Sequence, residues 1–84
     1  MALYSVFIRE GALASIPRSI TPKHKILNFI RSLADDPFHR GHYIEHDALG
    51  RPNEVEIVAG YAVTYCADHA AKEIRVLNIE PADE

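Results

Sequence analysis

The sequence contains a single cysteine, Cys66, among its 84 residues. One cysteine cannot form an intramolecular disulfide, and it excludes a zinc site built from several cysteines. No segment is long and apolar enough to cross a membrane, and Met1–Arg9 lacks both the basic start and the long apolar run of a signal peptide. We therefore expect a cytoplasmic protein that requires no metal or cofactor.

The chain also lacks an excess of positive charge. Nine Lys and Arg residues stand against twelve Asp and Glu residues, which gives a formal net charge of −3. Proteins that bind nucleic acids obtain much of their affinity by neutralising phosphates, and they are usually basic. Any nucleic-acid function of this chain therefore requires a local basic patch on an acidic protein.

What the chain has is the composition of an ordinary folded domain, with 48% hydrophobic and 25% charged residues. We expect residues 1–84 to form one domain, with no repeats and no linker. A domain of this size has a modest core, so a partner that binds only the folded state would add to its stability.

The clearest helix is predicted between residues 21 and 34. Thr21 is expected at the N-cap, with Pro22 in the first helical position, where a missing N–H costs nothing. Asp35-Asp36-Pro37 should end the helix, because proline disfavours helical geometry in the preceding residue. Apolar residues recur at the spacing of one helix face, which we expect to pack on the core: Ile26, Phe29, Ile30 and Leu33.

Short β-prone runs lie on both sides of this helix. Tyr4–Arg9 predicts a first strand, and Ala12–Ile16 predicts at most a small first helix. Consecutive strands with short loops are normally antiparallel neighbours, so the sequence predicts an α+β fold with one or two helices packed on a mainly antiparallel sheet. The later predicted strands are His42–Asp47, Glu54–Ile57, Tyr61–Cys66 and residue 72 or 73 to 79.

The faces of the last predicted strand are ambiguous. Strict alternation puts Ile74 and Val76 on one face and Arg75, Leu77 and Ile79 on the other. Both faces carry large apolar residues, so the alternation does not show which of them meets the helices. The chain then ends in an acidic tail, Glu80–Glu84.

Four segments of the chain together resemble the RelE/ParE toxin superfamily. They are Ile26–Pro37 (ILNFIRSLADDP), Gly50-Arg51, Gly60–Tyr65 (GYAVTY) and Glu73–Ile79 (EIRVLNI), and the resemblance extends over residues 4 to 80. It implies helices on one side of a sheet whose other side is concave. It also implies a toxin of a type II toxin–antitoxin system, which a cognate antitoxin wraps and inhibits. The RelE branch cuts mRNA on the ribosome, and the ParE branch poisons DNA gyrase.

Two functions remain open on this scaffold. One is a ribosome-dependent mRNA endonuclease, which the resemblance favours. The other is a non-catalytic binding protein that acts on a protein target or mainly contacts an antitoxin peptide. The acidic balance favours the second function, as does Ala62, which stands where the nucleases of the family commonly have an arginine. Free sheet edges would suit an antitoxin or a second copy of the chain as partner.

Candidate site residues follow from the chemistry of RNA cleavage. Attack by a 2′-hydroxyl requires proton transfer and positive charge near the phosphate. We expect Arg75 and Arg51 to stabilise that charge, and His42 or His46 to transfer protons, since histidine titrates near neutrality. The nucleic-acid contacts proposed from the sequence are Lys23, Lys25 and Arg40. The alternative is that these side chains are simply part of the solvated surface.

Other polar residues receive structural interpretations. His42 and His46 would lie roughly 13 Å apart on one strand, too far to share a metal ion, so no metal site is predicted from them and His39. Asp68 beside His69 is expected to satisfy turn amides rather than orient the imidazole. Core packing is favoured over base stacking for Tyr61 and Tyr65, and Cys66 is expected to be a small apolar filler.

Overall fold

Residues 4–82, which the computed structural model describes, form five strands and two helices. Met1–Leu3 and Asp83–Glu84 lie outside the described residues, so the acidic tail is seen only as far as Ala82. In chain order the elements are β1 (Ser5–Ile8), α1 (Glu10–Ala14), α2 (Ile20–Ser32), β2 (Tyr43–His46), β3 (Pro52–Val58), β4 (Tyr61–Asp68) and β5 (Glu73–Pro81).

The five strands form a single sheet in the order β1-β5-β4-β3-β2. Strands β2 to β5 are antiparallel neighbours, as their short connections predict. Strand β1 instead pairs in parallel with β5, with Phe7 opposite Arg75. The predicted α+β architecture with a mainly antiparallel sheet is therefore confirmed.

The apolar stripe of α2 packs against one face of the sheet. Ile26, Ile30 and Leu33 are fully buried there, and Phe29 is half-buried against the same core. Phe29 packs edge-on against the ring of Tyr65, with ring centroids 5.7 Å apart. The sheet contributes buried residues from its two central strands: Val63, Tyr65, Ile74, Val76 and Ile79.

The start of α2 differs from the sequence prediction. Ser19 is the N-cap and Ile20 the first helical residue, so the predicted cap Thr21 lies inside the first turn. The first helical bond runs from the Lys23 N–H to the Ser19 carbonyl, 3.1 Å away. The first four N–H groups of a helix have no helical acceptor, so Pro22 is tolerated at the third position as readily as at the first.

An irregularity in β5 resolves the ambiguity of its faces. Tyr65 pairs with Val76, whereas Thr64 pairs with Asn78, which leaves Leu77 unpaired between them. One extra residue shifts the alternation of a strand by one position. Ile79 therefore returns to the helix side with Ile74 and Val76 and is buried, instead of sharing the face of Arg75 as strict alternation predicts.

Within residues 4–82, neither helix has the length and apolar character needed to span a membrane.

Candidate functional site

A cavity of about 540 Å³ occupies the sheet face opposite the helices. Its floor includes Thr64 and Cys66 of β4, which alternate with the core residues Val63 and Tyr65. Strand β5 and the β2–β3 hairpin form its walls. The charged side chains around it are three arginines and two carboxylates: Arg9, Arg51, Arg75, Glu45 and Asp47. The cavity therefore gathers three arginines of this acidic chain, together with two carboxylates.

Arg51 is held by the β2–β3 turn. Asp47 Oδ1 accepts hydrogen bonds from the backbone N–H groups of Leu49 and Arg51, both at 2.9 Å, and Oδ2 pairs with the Arg51 Nε at 2.9 Å. Gly50 has φ +80°, a conformation that glycine adopts without strain. The hydrogen bond from the Arg51 backbone is the main reason why the pKa of Asp47 lies below its ordinary value. The turn thus fixes the Arg51 guanidinium at the rim of the cavity.

Arg75 is anchored by two carboxylates. Its guanidinium lies 2.7 Å from Glu73 Oε1, and 3.6 Å from Asp68 Oδ2 at the β4–β5 turn. The hydrogen bond to Glu73 raises the pKa of Arg75, so the side chain remains a cation at any physiological pH. Asp68 Oδ1 also accepts a hydrogen bond from the Ala71 N–H at 3.0 Å. Asp68 therefore accepts a hydrogen bond from a backbone amide of the turn, as predicted, and also orients an arginine of the cavity.

Arg9 is the third arginine of the cavity, and sequence reasoning missed it. It follows β1, and its backbone N–H donates a 2.9 Å hydrogen bond to the Val76 carbonyl of β5. Among residues 4–82, its side chain has no ion-pair partner. The available signal was alternation along β1, since Phe7 lies opposite Arg75, but using it required knowing that β1 pairs with β5.

Cys66 lies close enough to the three arginines for their charges to affect the pKa of its thiol. Burial raises the pKa of its thiol, while the positive charges of Arg75, Arg51 and Arg9 each act to lower it. The effect of burial is larger, so the thiol is protonated at neutral pH and is a weak nucleophile. Cys66 therefore contributes shape to the cavity floor, in agreement with its interpretation as a small filler.

Neither of the two histidines proposed for proton transfer lines this cavity. His42 lies at the outer side of β3, where its Nδ1 accepts a 2.9 Å hydrogen bond from the Ile57 backbone N–H. His46 is exposed on the edge strand β2, opposite Pro52. The structure brings Arg51 and Arg75 together, but it does not bring these histidines to them.

The proposed nucleic-acid contacts also lie apart from the cavity. Lys23 and Lys25 are exposed on α2, in the layer on the other side of the sheet. The Nε of Arg40 is 3.1 Å from Glu54 Oε2. His39, adjacent to Arg40, lies with its Nε2 3.1 Å from Glu56 Oε1. Across the described part of the chain, no three His, Cys, Asp or Glu side chains are grouped so as to hold a metal ion.

The fold defines the structural class to which the chain is similar, that of the RelE fold. The chain superposes on a chain of the crystal structure of an archaeal RelE–RelB complex from Pyrococcus horikoshii OT3, with a TM-score of 0.73 over 93% of each chain. The two sequences are 19% identical, so the similarity shows the RelE fold. No protein-family model matches the sequence. No curated protein matches it either.

Proposed function

We propose that this chain is the toxin of a type II toxin–antitoxin pair, and that its concave cavity receives the phosphate backbone of RNA. The observation that carries the proposal is the convergence of Arg9, Arg51 and Arg75 on one sheet face of a RelE fold. They come from three separate parts of the chain.

The arginines of the cavity are suited to phosphate by the geometry of their donors. Arginine presents a planar array of donors that matches two phosphate oxygens at once. Arg51 and Arg75 are already oriented by Asp47 and Glu73, which reduces the entropy lost on binding. Arg9 is the arginine whose charge no ion-pair partner offsets within residues 4–82. An incoming phosphate would compete least for that guanidinium.

The same arginines would support cleavage of the RNA. Attack of a 2′-hydroxyl on the adjacent phosphorus places extra negative charge on the phosphate oxygens in the transition state. The guanidinium groups of the cavity would stabilise that charge, and those of Arg51 and Arg75 would do so in competition with Asp47 and Glu73. His42 and His46 remain the proton-transfer residues proposed from the sequence, and either would have to be brought to the substrate from outside the cavity.

The alternative is a non-catalytic binding protein on the same scaffold. The observation that favours it is the separation of His42 and His46 from the arginines, which leaves no histidine among the residues lining the cavity. Of the two carboxylates that line the cavity, Asp47 is engaged by Arg51, which leaves Glu45. Such a protein would use the arginines to hold an acidic segment of another protein. In both cases we expect a cognate antitoxin as partner.

Induced expression of the parent and its variants tests the proposal. We expect the parent to arrest growth and to cut mRNA. Arg51→Ala and Arg75→Ala should each reduce cleavage by about 100- to 1000-fold, because each removes a group that stabilises charge in the transition state. Arg18→Ala is the matched control, since Arg18 is an exposed arginine that does not line the cavity.

The possible outcomes separate the functions. Growth arrest without cleavage would favour a protein target, with the arginine variants then relieving the arrest. If the folded protein causes no growth arrest, the result would indicate a binding protein without toxin activity. Cleavage that survives both substitutions would show that the arginine cavity is not the catalytic site. Rescue of growth by a small protein encoded in the neighbouring reading frame would identify the antitoxin.

A further inference from the structure

Two aromatic rings are stacked at the surface beside the arginine cavity. The rings of Phe38 and His69 are nearly parallel, with an interplanar angle of 9° and centroids 4.3 Å apart. Phe38 belongs to the segment that follows α2, and His69 to the turn between β4 and β5. Phe38 is nevertheless 69% exposed, so it contributes little to the core. One face of this ring is used by His69, and most of the remaining ring surface is open to solvent.

The stacked pair is held in a fixed position. Nδ1 of His69 is hydrogen-bonded to the Tyr4 hydroxyl at 2.8 Å, and the Tyr4 ring meets the His69 ring edge-on at 5.7 Å. His69 thus has contacts with two rings from different parts of the chain. A ring that is already oriented loses little conformational entropy when a further ring stacks on it. Phe38 and His69 therefore form a preorganised stacking platform.

The platform borders a second cavity that shares two lining residues with the arginine cavity. This cavity, of about 370 Å³, is lined by Phe38 and His69, and Pro52 and Cys66 line both cavities. The β3–β4 ladder ends at the pair Glu54 and Tyr65, so no pairing closes the sheet between Pro52 and the end of β4. Proline cannot donate the N–H that would extend the ladder. The two cavities therefore meet the same two residues at a point where β3 and β4 are not paired.

We infer that the stacked pair of Phe38 and His69 is a nucleobase subsite, which takes a base of the RNA strand whose phosphates bind in the arginine cavity. The inference rests on the proposed function. Sites for single-stranded nucleic acid combine a positive groove for the backbone with aromatic rings for the bases. The RNA strand would pass from one to the other at Pro52 and Cys66, which line both cavities. Stacking of this kind accepts any base, so the subsite would contribute affinity and register rather than strong sequence preference.

A short single-stranded RNA that contains 2-aminopurine tests the subsite directly. Stacking quenches the fluorescence of this base, and we expect quenching when the parent protein binds. Phe38→Ala should abolish the quenching and weaken binding about tenfold, as expected for the loss of one base stack. Phe38→Trp should retain both. The matched control is Ile20→Ala, because Ile20 is an equally exposed apolar residue that lines neither cavity.

Salt dependence distinguishes the platform from the arginines. Affinity falls with salt concentration. Arg51→Ala should make the slope of log affinity against log salt concentration less steep by about 0.7, because one phosphate contact on a single strand is lost. Phe38→Ala should leave that slope unchanged. Quenching that persists in Phe38→Ala, or a parent that binds this RNA without quenching or not at all, would overturn the subsite. Growth arrest and mRNA cleavage are measured separately, so a parent that arrests growth and cuts mRNA but fails this test loses the subsite and keeps the proposed function.

Discussion

The imidazole Nδ1 of His42 lies 2.9 Å from the backbone nitrogen of Ile57 and accepts its hydrogen bond. The His42 N–H in turn donates to the Val55 carbonyl at 2.8 Å. One residue therefore extends the β2–β3 pairing beyond the end of β2, first with its backbone and then with its side chain. Because Nδ1 is an acceptor here, the ring carries its proton on Nε2. His42 is bound into the sheet edge in the free protein.

Replacement of His42 tests this structural role. We expect His42→Ala to lower the free energy of unfolding by about 0.5–1.5 kcal/mol, the usual net contribution of one hydrogen bond. His46→Ala is the matched control, because His46 is exposed and should cost little. Chemical denaturation of the purified variants measures both values. Equal stability of the two variants would contradict the role of the His42 hydrogen bond.

Gly41 packs closely against the backbone of Val55. A Cβ on Gly41 would lie 2.5 Å from the Val55 carbonyl oxygen, and backbone atoms cannot move aside as a flexible side chain can. Gly41→Ala should therefore destabilise the fold by about 1–3 kcal/mol. Gly11→Ala in α1 should instead stabilise it by roughly 0.5–1 kcal/mol, because its Cβ meets nothing within 4 Å. Thermal melts that shift in the same direction for both variants would refute the contact.

Two residues of α2 should differ in their contribution to the core. Ile26 is fully buried, so Ile26→Ala should cost about 2–5 kcal/mol. Phe29 is half-buried, so Phe29→Ala should cost less than the roughly 3–5 kcal/mol typical of a buried phenylalanine. Denaturant titrations with an unchanged slope give both values. A variant of Ile26 that melts like the parent would mean that α2 does not pack as described.

The turn at Asp47 predicts an acid-sensitive contribution to stability. The pKa of Asp47 is lowered in the folded state, chiefly by the hydrogen bond from the Arg51 backbone. Its contribution is therefore complete above the ordinary carboxyl pKa of about 4, and it is lost as the pH falls through the lower folded value. Asp47→Asn should lower the melting temperature near neutral pH, and the difference from the parent should shrink below about pH 4. A difference that stays constant with pH would contradict this assignment.

Arg9 should affect binding without affecting the fold. Because its guanidinium forms no ion pair within residues 4–82, Arg9→Ala should leave the melting temperature nearly unchanged. It should weaken binding of single-stranded RNA and make the fall of log affinity with log salt concentration less steep by about 0.7. Fluorescence anisotropy at several salt concentrations measures both effects, with Arg18→Ala as control. Unchanged RNA binding by Arg9→Ala would remove this residue from the site.

Elements dominated by local periodicity could be predicted from the sequence. The stripe of α2 follows from its spacing alone, and the hairpins of β2 to β5 follow from short turns. The face of Ile79 could not be predicted, because an unpaired Leu77 breaks the alternation on which any such prediction depends. A bulge is set by how two strands pair, and neither strand shows it alone.

The candidate site was predictable where a residue's place followed from its own strand or turn. Arg51 and Arg75 could be chosen because one lies in a turn and the other on a strand face. Arg9 could not, because its place depends on the pairing of β1 with the distant β5, which no short loop enforces. The positions of His42 and His46 likewise depend on the side of β3 on which the edge strand β2 lies. Their catalytic roles remain predictions.

The parallel pairing of β1 with β5 has a consequence for biosynthesis. Strand β1 finds its partner only in β5, so this sheet cannot be completed until β5 has emerged from the ribosome. Arg9 and Arg75 are brought to one cavity by this contact. A nascent chain that has not yet exposed β5 would therefore lack the assembled cavity, and so would a chain truncated before β5.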